Sequence, residues 1–130
     1  INQLKKSDKW SERRLEIVHR YDEAFKDISE LSVQIHPSNK NLCYHLYITQ
    51  VKKRKELYEF LQESDIHTQV HYIPIHLQPY YQDTFGFRLG DFPKAEKYYE
   101  HALSLPLFPT MSNVEQDRVI KAVKDFYRYD

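Results

Sequence analysis

His71-Tyr72-Ile73-Pro74-Ile75-His76-Leu77-Gln78-Pro79-Tyr80-Tyr81 is the stretch on which the reading of this chain turns. It holds two prolines, two histidines and three tyrosines, a density of rings matched nowhere else in the sequence. Just upstream, Thr68 to Ile73 alternates polar and apolar residues and predicts a β-strand. Pro74 then removes a backbone donor, and Pro79 is expected to keep the segment irregular. The result would be a strand running out into a stiff loop that presents His76, Tyr80 and Tyr81. Two readings of such a loop stay open: a binding wall mounted on a strand, or a proline-rich connection whose tyrosines cover the core.

Working outward, the chain has 130 residues, enough for a single domain over 1–130 with one core. Nineteen basic residues balance nineteen acidic ones, which argues against a general nucleic-acid or anionic-membrane binder. No apolar run approaches the roughly 18 residues of a membrane span, and the first residues do not open a signal peptide. The single Cys43 rules out an internal disulfide and suits a reducing compartment, so a cytoplasmic protein is expected. Cys43 falls in a predicted strand and reads as a small buried apolar residue. Only Gly86 and Gly90 are glycines, so a Gly-rich phosphate loop of the Walker or dinucleotide type is excluded. Eleven tyrosines supply amphipathic contact surface suited to polar ligands and interfaces.

In chain order, Gln3 to Ser29 predicts one long amphipathic helix, with Val18, Tyr21, Phe25 and Ile28 on a single stripe. A kink near Trp10, capped by Ser7 or Ser11, is an alternative. Leu31 to Ile35 predicts a short strand stopped by His36-Pro37, and Pro37 to Asn41 a polar turn. Cys43 to Val51 is the strongest strand. Lys52 to Lys55 opens a helix reaching Glu63 on a Leu57, Tyr58 and Leu61 stripe. Asp91 is expected to cap a helix with Pro93 in its first turn, running to Ala102. Leu103 to Pro106 predicts a strand. Ser112 and Glu115 form a capping box for a last helix whose core face is Val119, Ile120, Val123, Phe126 and Tyr127. The architecture is α+β: a small, mostly antiparallel three-stranded sheet with helices packed on it and a long N-terminal helix.

The local chemistry is spare. His67, His71 and His76 are the closest histidines, but strand residues four apart lie about 13 Å apart, too far to share a metal. A Ser–His–Asp group assembles in space and is not tested by spacing, yet no nucleophile elbow is present. All twelve lysines sit among polar neighbours, so none reads as a desolvated Schiff-base lysine. No catalytic residue and no metal ligand is assigned to this chain.

A resemblance adds to these readings. Gln3-Leu4-Lys5-Lys6, Arg13-Arg14 and Tyr21 resemble the helix joining the large and small domains in the DegT/StrS family of nucleotide-sugar aminotransferases. Tyr44 to Ile48 and Asp65 to Tyr72 are similar to that family's small-domain strands, and Pro74 to Tyr81 to the loop that follows. Asp91-Phe92-Pro93-Lys94-Ala95-Glu96, then Leu103-Ser104-Leu105-Pro106-Leu107-Phe108-Pro109, match its C-terminal signature. The ring-rich stretch looks closest to the branch making 4-amino-4,6-dideoxy sugars on the pseudaminic acid route, with spore-coat and other surface-polysaccharide branches also in view.

What the resemblance implies is a fold type I aminotransferase whose C-terminal small domain is this chain. The large domain, which carries pyridoxal phosphate and the Schiff-base lysine, has no counterpart here. The fragment alone is then expected to bind no cofactor and to be inactive. The parent implied is a homodimer with its active site between large and small domains, using glutamate and a nucleotide-sugar. Tyr72, Pro74, Ile75, His76, Tyr80 and Tyr81 would line the sugar's entry. Leu103 to Pro106 is expected in the middle of the sheet, between Tyr44–Gln50 and Thr68–Ile73. The competing reading is a stand-alone ferredoxin-like ligand-binding or regulatory module without catalysis.

Overall fold

A five-residue strand carries the fold. In the computed structural model, which describes residues 6–34 and 43–128, β2 (Tyr47–Val51) buries Tyr47, Thr49 and Val51 and leaves Ile48 and Gln50 half-covered. That alternation is the period of two expected of a strand with one face on a core. β1 (Leu31–Ser32) pairs antiparallel with its end, Leu31 opposite Val51. β3 (Ala102–Leu105) pairs antiparallel along its length, Thr49 opposite Leu103. The buried Thr49 hydroxyl donates to the Leu103 carbonyl at 2.9 Å, so no polar atom of that pair is stranded.

Helices complete the core. The first is α1 (Ser7–Phe25), followed after β2 by α2 (Arg54–Glu63); the last is α5 (Asn113–Arg128). Ile17, Val18, Tyr21 and Phe25 of α1, Leu57 and Leu61 of α2, and Val119 and Val123 of α5 join the inner face of the sheet in one cluster. α1 and α2 both pack on α5. The stripes anticipated on α1 and α5 are therefore inward-facing. α1 runs without a break through Trp10, so the two-helix alternative falls away. Gln3 to Lys5, Ile35 at the end of the anticipated strand, its His36-Pro37 stop and the Pro37–Asn41 turn lie outside the described residues.

At α5 the capping box is formed. Ser112 N–H donates to Glu115 Oε2 at 2.7 Å, and Glu115 N–H donates back to Ser112 Oγ at 3.2 Å. Bonds reaching across the chain hold α1 to this end. Arg13 donates to the Met111 carbonyl at 2.8 Å and to Asn113 Oδ1 at 2.9 Å. The fully buried Gln116 donates to the Ile17 carbonyl at 2.8 Å.

Three expectations need correction. The three-stranded sheet runs β1-β2-β3, so β2 and not Leu103–Pro106 is central. Thr68–Ile73 supplies only a single bridge, Gln69 with Ser104, although it does lie antiparallel on the far side of β3. The reason is backbone chemistry. In this register the next hydrogen-bonding pairs are His67 with Pro106 and His71 with Ala102. Pro106 has no N–H, and the Ala102 N–H is already given to the Tyr98 carbonyl at the end of a helix.

Cys43 is exposed rather than buried, because the strand begins only at Tyr47 and Tyr44 takes the core position nearby. The ring-rich stretch is not irregular. Ile75–Leu77 is a 3-10 turn, and α3 (Pro79–Phe85) starts at Pro79 itself. A proline in the first turn gives up an N–H that would have no helical partner there, so it starts a helix as readily as it breaks one. Gly86, at φ 74°, ends α3 in the left-handed conformation.

Candidate functional site, a ring-lined arm

Between His71 and β3 the chain forms an arm: the 3-10 turn, α3, a turn at Gly86–Gly90, and α4 (Pro93–His101). Neither α3 nor α4 buries a single residue fully. The arm is held by its own rings instead. Tyr80 meets Tyr81 edge-on at 5.4 Å, Tyr81 stacks on Phe85 at 6.0 Å, and Phe85 on Phe87 at 5.8 Å. Phe87 meets Phe92 edge-on at 5.5 Å, and Phe92 packs on His76 at 4.7 Å. Each such pair is worth about 0.5–1.5 kcal/mol beyond burial.

One carboxylate sits inside this arm. His76 is only 6% exposed, and its Nε2 donates to Glu96 Oε1 at 2.8 Å. The same carboxylate accepts from the Gly90 N–H at 2.9 and 3.0 Å and from the Phe92 N–H at 3.2 Å. Burial pushes the Glu96 carboxyl up, but the bonds from His76, Gly90 and Phe92 outweigh it and leave the group below the usual carboxylate range. Glu96 also satisfies the first N–H groups ahead of α4, the task expected of Asp91. Asp91 instead accepts from the Arg88 N–H at 2.8 Å.

The six residues singled out along the loop separate into three groups. Tyr72, 75% exposed, Tyr80, 67% exposed, and Ile75 present apolar and phenolic surface to solvent, joined by Ile73, Phe85 and Leu89. Pro74 and Tyr81 are half-buried. His76 does not project as expected; it faces inward, because an imidazole flanked by a carboxylate and a phenyl ring is better satisfied inside the arm than in water. Sequence reasoning missed Glu96 as an organiser. Its only local signal was a carboxylate in the first turn of a helix, which is ordinary.

Elsewhere, a cleft of about 870 Å³ lies beside β3, lined by Tyr58, Ile66, His71, Ser104, Phe108 and Arg118 among others. His71 Nδ1 and Ser104 Oγ are hydrogen-bonded at 2.8 Å on its wall. Ser104 is buried in mid-strand at 5% exposure, which suits a structural bond and not a nucleophile. The two innermost phenols are also structural. Burial pushes the Tyr21 hydroxyl up, against a smaller opposing effect of Arg20, and it donates to the Pro106 carbonyl at 3.0 Å. Burial and then the bond to Asp22, 2.8 Å long, push Tyr47 up as well. Among the described residues no group of three or more His, Cys, Asp or Glu side chains is placed to hold a metal. No described helix is long and apolar enough to cross a membrane.

The fold and the arm define a small α+β domain with a ring-lined face exposed to solvent. Its kinship is clear: the chain belongs to the DegT/DnrJ/EryC1/StrS aminotransferase family, whose pattern matches residues 1–124. Spore coat polysaccharide biosynthesis protein SpsC of Bacillus subtilis is 42% identical over 135 aligned positions, covering 98% of this chain and 35% of that protein. A dTDP-3-amino-3,6-dideoxy-alpha-D-galactopyranose transaminase of Aneurinibacillus thermoaerophilus is 32% identical over 89% of this chain and 31% of its own. The solved structure of Helicobacter pylori PseC, an aminotransferase involved in the biosynthesis of pseudoaminic acid, superposes with a TM-score of 0.88 at 27% identity. It covers 99% of this chain and 36% of PseC. The chain thus spans about a third of the length of these relatives.

The family depends on pyridoxal phosphate. The described residues do not fit that group. Every described lysine is exposed, so none is desolvated as an aldimine-forming amine must be. Gly86 and Gly90 face open space on the arm, and the N–H groups of Gly90 and Phe92 ahead of α4 are already taken by the Glu96 carboxylate, so no phosphate cradle is left there.

Proposed function

We propose that this chain is the C-terminal small domain of a pyridoxal-phosphate-dependent nucleotide-sugar aminotransferase. The whole enzyme moves an amino group from glutamate to a keto group of a nucleotide-linked deoxysugar, for surface or flagellar glycan synthesis. The observation that carries this reading is the family match running through 1–124. The similarity to SpsC and PseC favours the surface-polysaccharide and pseudaminic acid branches within it.

In this reading the cofactor and its lysine belong to a large domain, and the active site lies between domains of a cytoplasmic homodimer. The arm meets the sugar. Tyr72, Pro74, Ile75, Tyr80 and Tyr81 form the contact wall, with His76 behind it. A phenol both donates and accepts a hydrogen bond through one oxygen, which suits hydroxyl and keto groups. The flat ring covers the apolar edge of a deoxysugar. Nothing on the arm performs the chemistry; its part is to hold the sugar in place.

The test is to incubate the full-length protein with cofactor, glutamate and a panel of UDP- and dTDP-linked 4-keto and 3-keto deoxysugars, following amine gain by mass spectrometry. One of these sugars should be aminated. Tyr72→Phe should then lower kcat/KM for it about 10- to 100-fold, with the glutamate half-reaction unchanged. No amination of any sugar would overturn the reading. Unchanged sugar kinetics in Tyr72→Phe would remove Tyr72 from the wall.

A further inference from the structure

A wall of exposed rings on a segment that buries almost nothing in the core needs something to fix its shape. We propose that Glu96 is the positioning residue of this wall, fastening the two halves of the arm through one carboxylate. The inference rests on the substrate-facing reading of the arm given above.

The geometry carries it. Glu96 stands in the first turn of α4, with its side chain 15% exposed. On one side it accepts a hydrogen bond from Nε2 of His76, which sits at the centre of the Ile75–Leu77 turn. On the other it takes the N–H groups of Gly90 and Phe92, which follow α3. Ile75 therefore adjoins a residue anchored to Glu96, and Tyr80 stands at the start of α3, the helix that leads through Gly86 into the anchored Gly90–Phe92 segment.

An ionised carboxylate accepts at both oxygens and donates nothing, so three donors from two separate segments converge on it without conflict. Replacing it by alanine strands the N–H of the buried His76 and leaves the exposed Gly90 and Phe92 N–H groups to water, so the two segments are no longer fastened to each other. None of the bonds made by Glu96 reaches β2, β3 or α5, so the loosening is expected to stay within the arm. Glu96 touches no solvent-facing ring of the wall directly. Its effect on a substrate would pass entirely through the placement of Ile75 and Tyr80.

The experiment compares wild type with Glu96→Ala and Glu96→Gln. Amide hydrogen exchange is read on this chain, and sugar and glutamate kinetics on the full-length protein. In Glu96→Ala, amides of residues 75–92 should exchange at least about tenfold faster, while those of β2 and α5 keep their protection. The KM for the nucleotide-sugar should rise about tenfold, with kcat for the glutamate half-reaction unchanged. Glu96→Gln keeps an acceptor for Gly90 and Phe92 and should restore most of the protection. Arm amides as protected in Glu96→Ala as in wild type would overturn the proposal, and so would a fall in both kcat values with sugar KM unchanged. If Glu96→Ala does not fold, His76→Phe, which keeps a ring but removes the donor to Glu96, decides by the same readouts: faster exchange confined to 75–92 supports the proposal, and wild-type exchange overturns it. If the wild-type enzyme aminates no nucleotide-sugar, the proposed function falls while the exchange data still decide whether Glu96 fixes the arm.

Discussion

Gln116 shows how a single polar residue ties the two ends of this molecule. It is fully buried on α5, its amide donating to the Ile17 carbonyl and its oxygen accepting from Arg20 at 3.3 Å. Burying an amide without partners would be costly, but here both halves are used. Gln116→Ala removes the two bonds and leaves a space between α1 and α5. Urea unfolding should show a loss of about 1–3 kcal/mol, with an unchanged slope. A loss within about 0.5 kcal/mol, the range of ordinary surface substitutions, would mean that the bonds merely replace those made to water. Nothing in the sequence marked Gln116, because a glutamine on the inward face is explained only by a partner 99 residues away. His76 was misjudged for the same reason: whether an imidazole points out or in was decided by Glu96, twenty positions on.

At the scale of elements, the α5 start is a pH-sensitive cap. The backbone N–H and then the hydroxyl of Ser112 hold the Glu115 carboxyl below its ordinary range, against a small opposing effect of burial. A carboxylate with a lowered folded-state pKa contributes fully above its unfolded value of about 4.3 and loses that contribution as pH falls through the folded value. Ser112→Ala should therefore destabilise the chain by about 1 kcal/mol at pH 7. The gap from wild type should narrow in acid below about pH 4, where Glu115 becomes protonated in both proteins. Thermal melts at pH 7 and pH 3 check this, and an equal gap at both values would contradict it.

The same elements show what a sequence makes legible. α1, α5 and the capping box follow from periodicity and spacing within one segment; α5 and its box form where expected, while α1 stops at Phe25, short of the expected Ser29. Thr68–Ile73 alternates as a strand should, but alternation does not reveal whether its neighbour can return hydrogen bonds. Pro106 and the engaged Ala102 N–H cannot. Pro79 carries two opposed meanings, breaker and helix starter, and only the chain after it decides between them.

At the scale of the whole molecule, the distribution of apolar surface is uneven. Val18, Tyr21 and Phe25 of the first helix are spent in this chain's own core. The unspent surface is the arm, where Tyr72, Ile73, Ile75, Tyr80, Phe85, Leu89 and Phe92 are all exposed. Monomers rarely leave contiguous apolar patches larger than a few hundred Å² uncovered. This chain by itself should therefore self-associate through the arm, giving a light-scattering mass that rises with concentration. Tyr80→Lys together with Leu89→Lys should lower that mass. A constant monomer mass across concentrations would show that the rings cover one another well enough to stay apart in water.

The bonds from Arg13, Arg20 and Gln116 have a meaning in time as well as in space. They join residues 93 to 100 positions apart, so the first helix finds its partner only when the last is made. A chain emerging at about 5–20 residues per second can lay Tyr47 on Tyr21 early, but it leaves the side of the first helix that meets α5 uncovered until the last helix is made. Closing so long a loop costs entropy before any contact repays it. The seam between the first helix and the last is thus set late, and until then the newborn chain is a client for whatever shields greasy segments in the cell.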